Sequence, residues 1–340
     1  MDQAGIGSGP ISDAALLTGG TQNILIRFSR DADVYVLRRP PLKPRPRNNE
    51  LILREATVLE ALAETKVPHP RLIAACADEK VLGSACFYLM RSVEGFNPAE
   101  VAPDETMDAE WFSRLARGAT EALADIGQLD HVGIGLTDFG NLDQFLERQV
   151  PRWIKERDRY LTTENYPGEP LPGFERVRDH LLANVPPSFR PGLMHGDYHL
   201  GNLLIDPDSL AVNAVVDWEM STLGDPLLDL GRYLALWPDD HETVIDPGRV
   251  WASPLLPSPE SVVETYTRRT GQEIEHLGWY RIMGCFKLGI ILEGTYARSC
   301  AGQAPRDIGL LLHQTAVRLF ERASRLVDSP DVAPSSQRTS

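Results

Sequence analysis

Hydrophobic and polar positions change rhythm partway along this chain. Near its start, an apolar stretch at 23–28, a polar turn at Asp31, Ala32 and Asp33, and a second apolar run at 34–37 predict an antiparallel hairpin. Prolines and basic residues across 40–49 predict a loop. Leu53, Ala56, Leu59, Leu62 and Ala63 then recur at helical spacing and predict a helix over 50–64. Pro68 and Pro70 end that region, because proline lacks the backbone donor and restricts its predecessor. Strands at 71–76 and 84–90 would complete a sheet of four or five strands, and Gly95 with Pro98 punctuates a crossover. Beyond it the period is helical. Trp111, Leu115, Ala119, Leu123 and Ile126 predict a helix over 108–126. Others are expected over 143–161, where Pro151 breaks or begins part of it, and over 262–270, 279–297 and 310–324. The stretch 237–260, rich in proline and acids, reads equally well as a functional loop or an insertion.

This pattern predicts an α+β fold of two lobes: a small β-rich lobe over 1–94 and a larger, mainly helical one over 95–326. Residues 327–340 have little to bury and are expected to form a flexible tail. The cleft between lobes is the natural place for a nucleotide. Composition adds exclusions. A formal charge of −14 argues against a nucleic-acid surface built on bulk charge. No apolar run is long enough for stable membrane insertion and no leader follows Met1, so the expected location is cytoplasmic. Cys76, Cys86, Cys285 and Cys300 form no CxxC pair and read as packed small side chains rather than a zinc or dithiol site.

Chemistry concentrates in two segments. The first is His195-Gly196-Asp197-Tyr198-His199-Leu200-Gly201-Asn202, followed by the apolar run 203–205. The second is the apolar run 214–216 followed by Asp217-Trp218-Glu219. Asp206-Pro207-Asp208 makes a turn between the runs, and such a hairpin would hold Asn202 and Asp217 together, across a cleft from Asp197. Phosphoryl transfer asks for this set: a carboxylate to orient a hydroxyl, and oxygen donors for Mg²⁺, a hard cation.

These segments resemble the aminoglycoside phosphotransferase-like family of the protein-kinase-like superfamily. The resemblance implies the bilobal protein-kinase-like fold, ATP as phosphoryl donor, and a small-molecule hydroxyl acceptor rather than a protein. By it, Asp197 is the catalytic base, and Asn202 and Asp217 are the Mg²⁺ ligands. Gly19 and Gly20 form the phosphate-covering turn. Arg38 takes the place of the family's usual lysine, Glu55 is the helix acid that pairs with it, and Met90 to Ser92 belong to the purine-binding hinge. His195 braces the catalytic loop, and His199 is supporting or substrate-proximal. Glu219 reaches toward the acceptor, while Asp225 or Asp229 supports the loop, helix capping being the plain alternative for Asp225 before Pro226. Arg38-Arg39-Pro40-Pro41 resembles the kinase-like portion found beside acyl-CoA dehydrogenases, which implies a hydroxyacyl thioester or hydroxy acid as acceptor.

Other readings stay open at this stage. An aminoglycoside or other antibiotic is an alternative acceptor, and GTP an alternative donor. His195, Asp197, His199 and Asp217 would also suit a metal-dependent phosphohydrolase. The arginine at position 38 would suit a catalytically inactive nucleotide-binding module. Glu55 could equally be a solvent-facing acid on an amphipathic helix. No motif names a protein partner.

Overall fold

A computed structural model describes residues 1–17, 23–42, 46–168, 170–238, 250 and 253–329. The expected hairpin forms β2 (Ile24–Arg30) and β3 (Asp33–Arg39), in continuous antiparallel register from Ile24 opposite Arg39 to Arg30 opposite Asp33. It is the centre of a five-stranded sheet in the order β1, β2, β3, β5, β4. The edge strand β1 (Ile11–Leu17) was not expected. Its residues are exposed throughout and its pairing with β2 is broken by a bulge between Ser12 and Ala15, so it carries no alternation to read. β4 (Leu72–Cys76) and β5 (Phe87–Arg91) complete the sheet.

Between β3 and β4 runs α1 (Pro46–Leu62), which starts earlier than expected. Its first residue is proline, which fits a first helical turn because no donor is lost there. One face buries Ile52, Ala56, Leu59 and Leu62. Glu55 lies on that inner side at only 2% exposure, so it is not the solvent-facing acid of an ordinary amphipathic helix.

After β5 the chain crosses to the second lobe. Phe96 and Ile205 exchange backbone N–H···O bonds of 2.9 Å in both directions, tying the crossover to the catalytic hairpin. α2 (Ala109–Gly127) starts at an Asp108 cap whose carboxylate accepts from Trp111 N at 2.8 Å; of the predicted stripe it buries Leu115, Ala119, Leu123 and Ile126, with Phe112 buried beside a half-buried Trp111. α3 (Gln149–Tyr160) is shorter than the 143–161 expectation, with Pro151 in its first turn. α4 (Phe174–Ala183), β6 (Gly192–Met194), β7 (Leu203–Ile205), β8 (Val212–Val215) and β9 (Thr222–Gly224) follow. The chain closes with α5 (Leu227–Leu234), α6 (Pro259–Thr270), α7 (Leu277–Cys300) and α8 (Arg306–Asp328). Of the 237–260 stretch, Trp237 is buried and its indole N–H donates to Pro257 O at 2.7 Å; 239–249 and 251–252 lie outside the described residues, as do 330–340 of the expected tail.

Two features fix the position of the site. The larger apolar cluster is continuous from α1 and the sheet through α2 to Leu203, Val215 and Trp218, so the lobes share one core. α5 and α7 also approach at backbone distance: a Cβ on Gly231 would collide with Tyr280 O, and one on Gly284 with Gly231 O. Only glycine permits that approach, and both helices carry side chains that reach the catalytic loop. Among the described residues, no helix is long and apolar enough to cross a membrane.

Candidate active site

β6 delivers the chain into the His195–His199 loop, and the β7–β8 hairpin brings its far end back beside it. Val216 N donates to Asn202 O at 2.9 Å, which holds Asn202 against the segment that carries Asp217. His195 is fully buried between these pieces. Its Nε2 is 2.9 Å from Val216 O, its Nδ1 accepts from Asp197 N at 3.3 Å, and its ring packs 4.8 Å from that of Trp218. Burial lowers its pKa, against the opposing pull of Asp229, so a neutral ring with its proton on Nε2 fits these bonds. With both nitrogens engaged, His195 has none to offer a metal. His199 Nδ1 accepts from Gly201 N at 3.1 Å. Among the described residues no group of three or more His, Cys, Asp or Glu is arranged to hold a metal by itself.

Gly196 stands at φ 86°, and a Cβ there would strike Met220 O. The loop is pinned on both sides of this glycine. His195 N and Gly196 N donate to the buried Asp229 carboxylate at 2.6 and 3.0 Å, and Lys287 Nζ donates to Gly196 O. Asp225 sits apart. Its carboxylate accepts from Leu227 N at 3.0 Å and from Tyr280 OH at 2.6 Å, capping α5 and tying it to α7. Burial raises its pKa to about 6, with Tyr280 and Leu227 opposing. Between about pH 4 and 6 the folded chain therefore holds a proton that the unfolded chain releases, and stability falls as pH rises through that window. Asp225→Asn lacks this penalty, so its Tm relative to the parent is expected to climb from pH 4 to pH 7. The climb corresponds to about 3 kcal/mol at most, and a difference that stays flat across paired melting curves would contradict it.

Asp197 itself is grasped by Arg232, whose Nη2 and Nε lie 3.0 and 3.1 Å from Oδ1. His199 Nε2 is 3.6 Å from Oδ2. Burial alone would raise this carboxyl's pKa, but Arg232, His199 and Lys287 together hold it well below the usual carboxylate range. Asp197 is therefore an anion at any physiological pH. Asn202 Nδ2 donates to Asp197 O at 3.0 Å, which leaves the amide oxygen as the end able to accept or ligate.

A second charged group faces this one. Arg38, buried on β3, has Nε 2.8 Å from Glu55, and its Nη2 lies 2.6 Å from Asp217 and 3.4 Å from Glu219. Glu55 also accepts from Trp218 N at 3.0 Å, and Asn23 Nδ2 donates to Glu219 at 3.0 Å. Burial raises the Glu55 pKa to about 7 against the pull of Arg38; burial and then Asp217 raise that of Glu219, and Arg38 is held firmly protonated by Glu55. Three carboxylates thus share one guanidinium. Asp217 takes a left-handed backbone, φ 66° and ψ 61°, which an aspartate adopts at modest cost. The Asp217 carboxylate and the Asn202 amide, both at the cavity, offer hard oxygen donors of the kind a divalent cation such as Mg²⁺ takes, with nucleotide phosphate to complete the set.

A cavity of about 710 Å³ opens from this cluster. Leu25, Val36, Tyr88, Met90, Leu204 and Val216 give it apolar walls, while Arg38, Asn202 and Asp217 stand at its polar end. Met90 and Ser92 both line it, but the Ser92 N–H is spent on Val34 O at 3.0 Å and that of Arg91 on Arg71 O at 2.9 Å. Neither N–H is therefore free to face the cavity. Gly19 and Gly20 lie outside the described residues. Two neighbours of Asp197 were absent from the sequence reading. Arg232 follows Asp229 by three residues on one helix, and Lys287 is one of two cations, with Arg281, in the mainly apolar run 279–297; each was a visible signal without a partner to give it meaning.

A small five-stranded lobe, a helical lobe and a His-Gly-Asp loop between them define a protein-kinase-like phosphotransferase. Residues 13–270 match the Phosphotransferase enzyme family (APH), and the chain belongs to that family. It is 31% identical over 329 residues to a probable acyl-CoA dehydrogenase, IBR3, of Arabidopsis thaliana, covering 89% of this chain and 38% of that protein. The chain thus spans well under half the length of this curated relative. Among solved structures, a candidate aminoglycoside phosphotransferase from Ralstonia eutropha superposes with a TM-score of 0.76 at 28% identity, covering 94% of each chain. A thermostable mutant of the aminoglycoside phosphotransferase APH(4)-Ia, in ternary complex with ADP and hygromycin B, shares the fold at 15% identity and a TM-score of 0.61, over 96% of this chain and 97% of that one.

Proposed function

We propose that this chain transfers the γ-phosphoryl group of ATP to a hydroxyl of a small molecule, a hydroxyacyl thioester or hydroxy acid. One observation carries the reading: Asp197, paired with Arg232, is held beside an Asn202–Asp217 pair that faces an apolar-walled cavity of nucleotide size. Bound Mg²⁺ and ATP would supply the transferable phosphoryl group and the charge that screens it. Asn202 and Asp217 would hold the metal, Arg38 the phosphates, and the walls from Leu25 to Met90 the base. Asp197 orients the acceptor hydroxyl, whose oxygen forms the new bond to phosphorus as the bond to ADP breaks, and it receives the proton. Its low pKa makes it a weak base, which suits a loose transition state in which proton transfer lags behind bond cleavage. The acyl-type acceptor is supported by the likeness to the Arabidopsis protein, whose name places it in acyl-CoA chemistry.

The test is ADP release over a panel of hydroxyacyl-CoAs, short hydroxy acids, amino alcohols, sugars and aminoglycosides. Acceptor-dependent ADP formation, strongest with the first two classes, is expected. Tight Mg²⁺-nucleotide binding with no acceptor response would instead favour the inactive module, and best turnover with aminoglycosides the antibiotic kinase.

A further inference from the structure

Asp197 does not line the large cavity, although Asn202 and Asp217 do, and 30% of its side chain is exposed. Around that exposed carboxylate stand Arg232 of α5 and Lys287 of α7, and α7 packs on α3. Arg232 on α5 holds Asp197, and its Nη1 is buried with no hydrogen-bond partner among the described residues. Lys287 on α7 holds Gly196 O and sits 5.7 Å from the centre of the Trp153 ring. The Arg152 guanidinium on α3 lies 5.4 Å from the same ring. Trp153 is itself buried, so Arg152 and Lys287 share one fixed ring.

We propose that Arg152, backed by Lys287 and Arg232, receives an anionic group of the acceptor, a phosphate or a carboxylate, and so selects anionic acceptors over cationic ones. The inference rests on the kinase reading and adds to it the sign of the acceptor's charge. Charge matching supports it. Asp197 is paired with Arg232 and Asp229 faces Lys287, so the positive charge left over is that of Arg152. Glu156, the acid nearest Arg152, pairs with Arg159 at 2.8 Å. Loss of hydration, then Arg47, then Arg148 lower the Arg152 pKa, with only Glu156 opposing, so like charges crowd this guanidinium. In a chain of net charge −14, an arginine crowded by like charges is not a product of composition. A polycation would meet repulsion here, whereas an anion would gain from each neighbour.

Equilibrium binding tests this, with Mg²⁺ and the non-hydrolysable AMP-PNP filling the nucleotide site. The probes are 3-hydroxybutyryl-CoA, 3-hydroxybutyrate, the neutral 3-hydroxybutyryl-pantetheine and kanamycin. The parent should bind at least one of the two anionic probes, the thioester of CoA if phosphate is the recognised group and the free acid if carboxylate is. Arg152→Glu should weaken that probe at least tenfold, leave AMP-PNP and the neutral thioester unchanged, and Arg152→Lys should restore most of the loss. Equal affinity in Arg152→Glu, no binding of either anionic probe, or tighter binding of kanamycin would overturn the inference while the kinase reading stands. Failure of the parent to bind Mg²⁺ and AMP-PNP would bring down both.

Discussion

Asp197→Asn is expected to lower kcat for acceptor phosphorylation by roughly a thousandfold, with Mg²⁺-nucleotide affinity within a few-fold of the parent. The amide can still accept one bond from the hydroxyl but takes no proton, and it no longer neutralises Arg232. Arg232 is buried, and stripping its partner costs stability, of order 1–3 kcal/mol given that Asp197 is partly exposed. Thermal melting and nucleotide binding therefore have to accompany the rates. A folded, nucleotide-binding variant that turns over an authentic acceptor at the parent rate contradicts the assignment of Asp197.

The second large effect is at Asp217. Asp217→Asn is the informative change because asparagine also tolerates the left-handed backbone, which alanine does not. It removes one of three carboxylates sharing Arg38. Mg²⁺ should then enhance nucleotide binding roughly a hundredfold less than in the parent, while metal-free nucleotide binding stays equal or improves because Arg38 is released toward the phosphates. Titrations with and without Mg²⁺ check this. An undiminished Mg²⁺ effect would place the metal elsewhere.

The split between what sequence revealed and what it hid has a physical basis. His195 to Asn202 and Asp217 to Glu219 are legible because each packs its chemistry into a short run beside a strand, and the turn at 206–208 brings the runs together locally. The β2–β3 hairpin is legible for the same reason: local alternation and a two-residue turn specify it. β1 is not, because an exposed, bulged edge strand has no buried face to impose a period. Long-range pairings are equally silent. Nothing in residues 50–64 tells whether Glu55 faces water or Arg38; burial of the helix face decides it. Arg232 and Lys287 gain their meaning only from the close approach of α5 and α7, which depends on Gly231 and Gly284 meeting across more than fifty residues of chain. The Ser92 amide shows the reverse case: the residue expected in a purine-binding hinge lines the cavity, but its N–H is already engaged by Val34 O in the sheet.

The central claim is phosphoryl transfer from a nucleotide to a small hydroxyl at Asp197. ³¹P NMR of the parent protein with ATP, Mg²⁺ and a hydroxyacyl-CoA or hydroxy acid tests it most directly. A new phosphate-monoester signal growing in step with ADP, and absent with Asp197→Asn, is the predicted result. Inorganic phosphate as the sole new signal, or a monoester formed equally by Asp197→Asn, would contradict it.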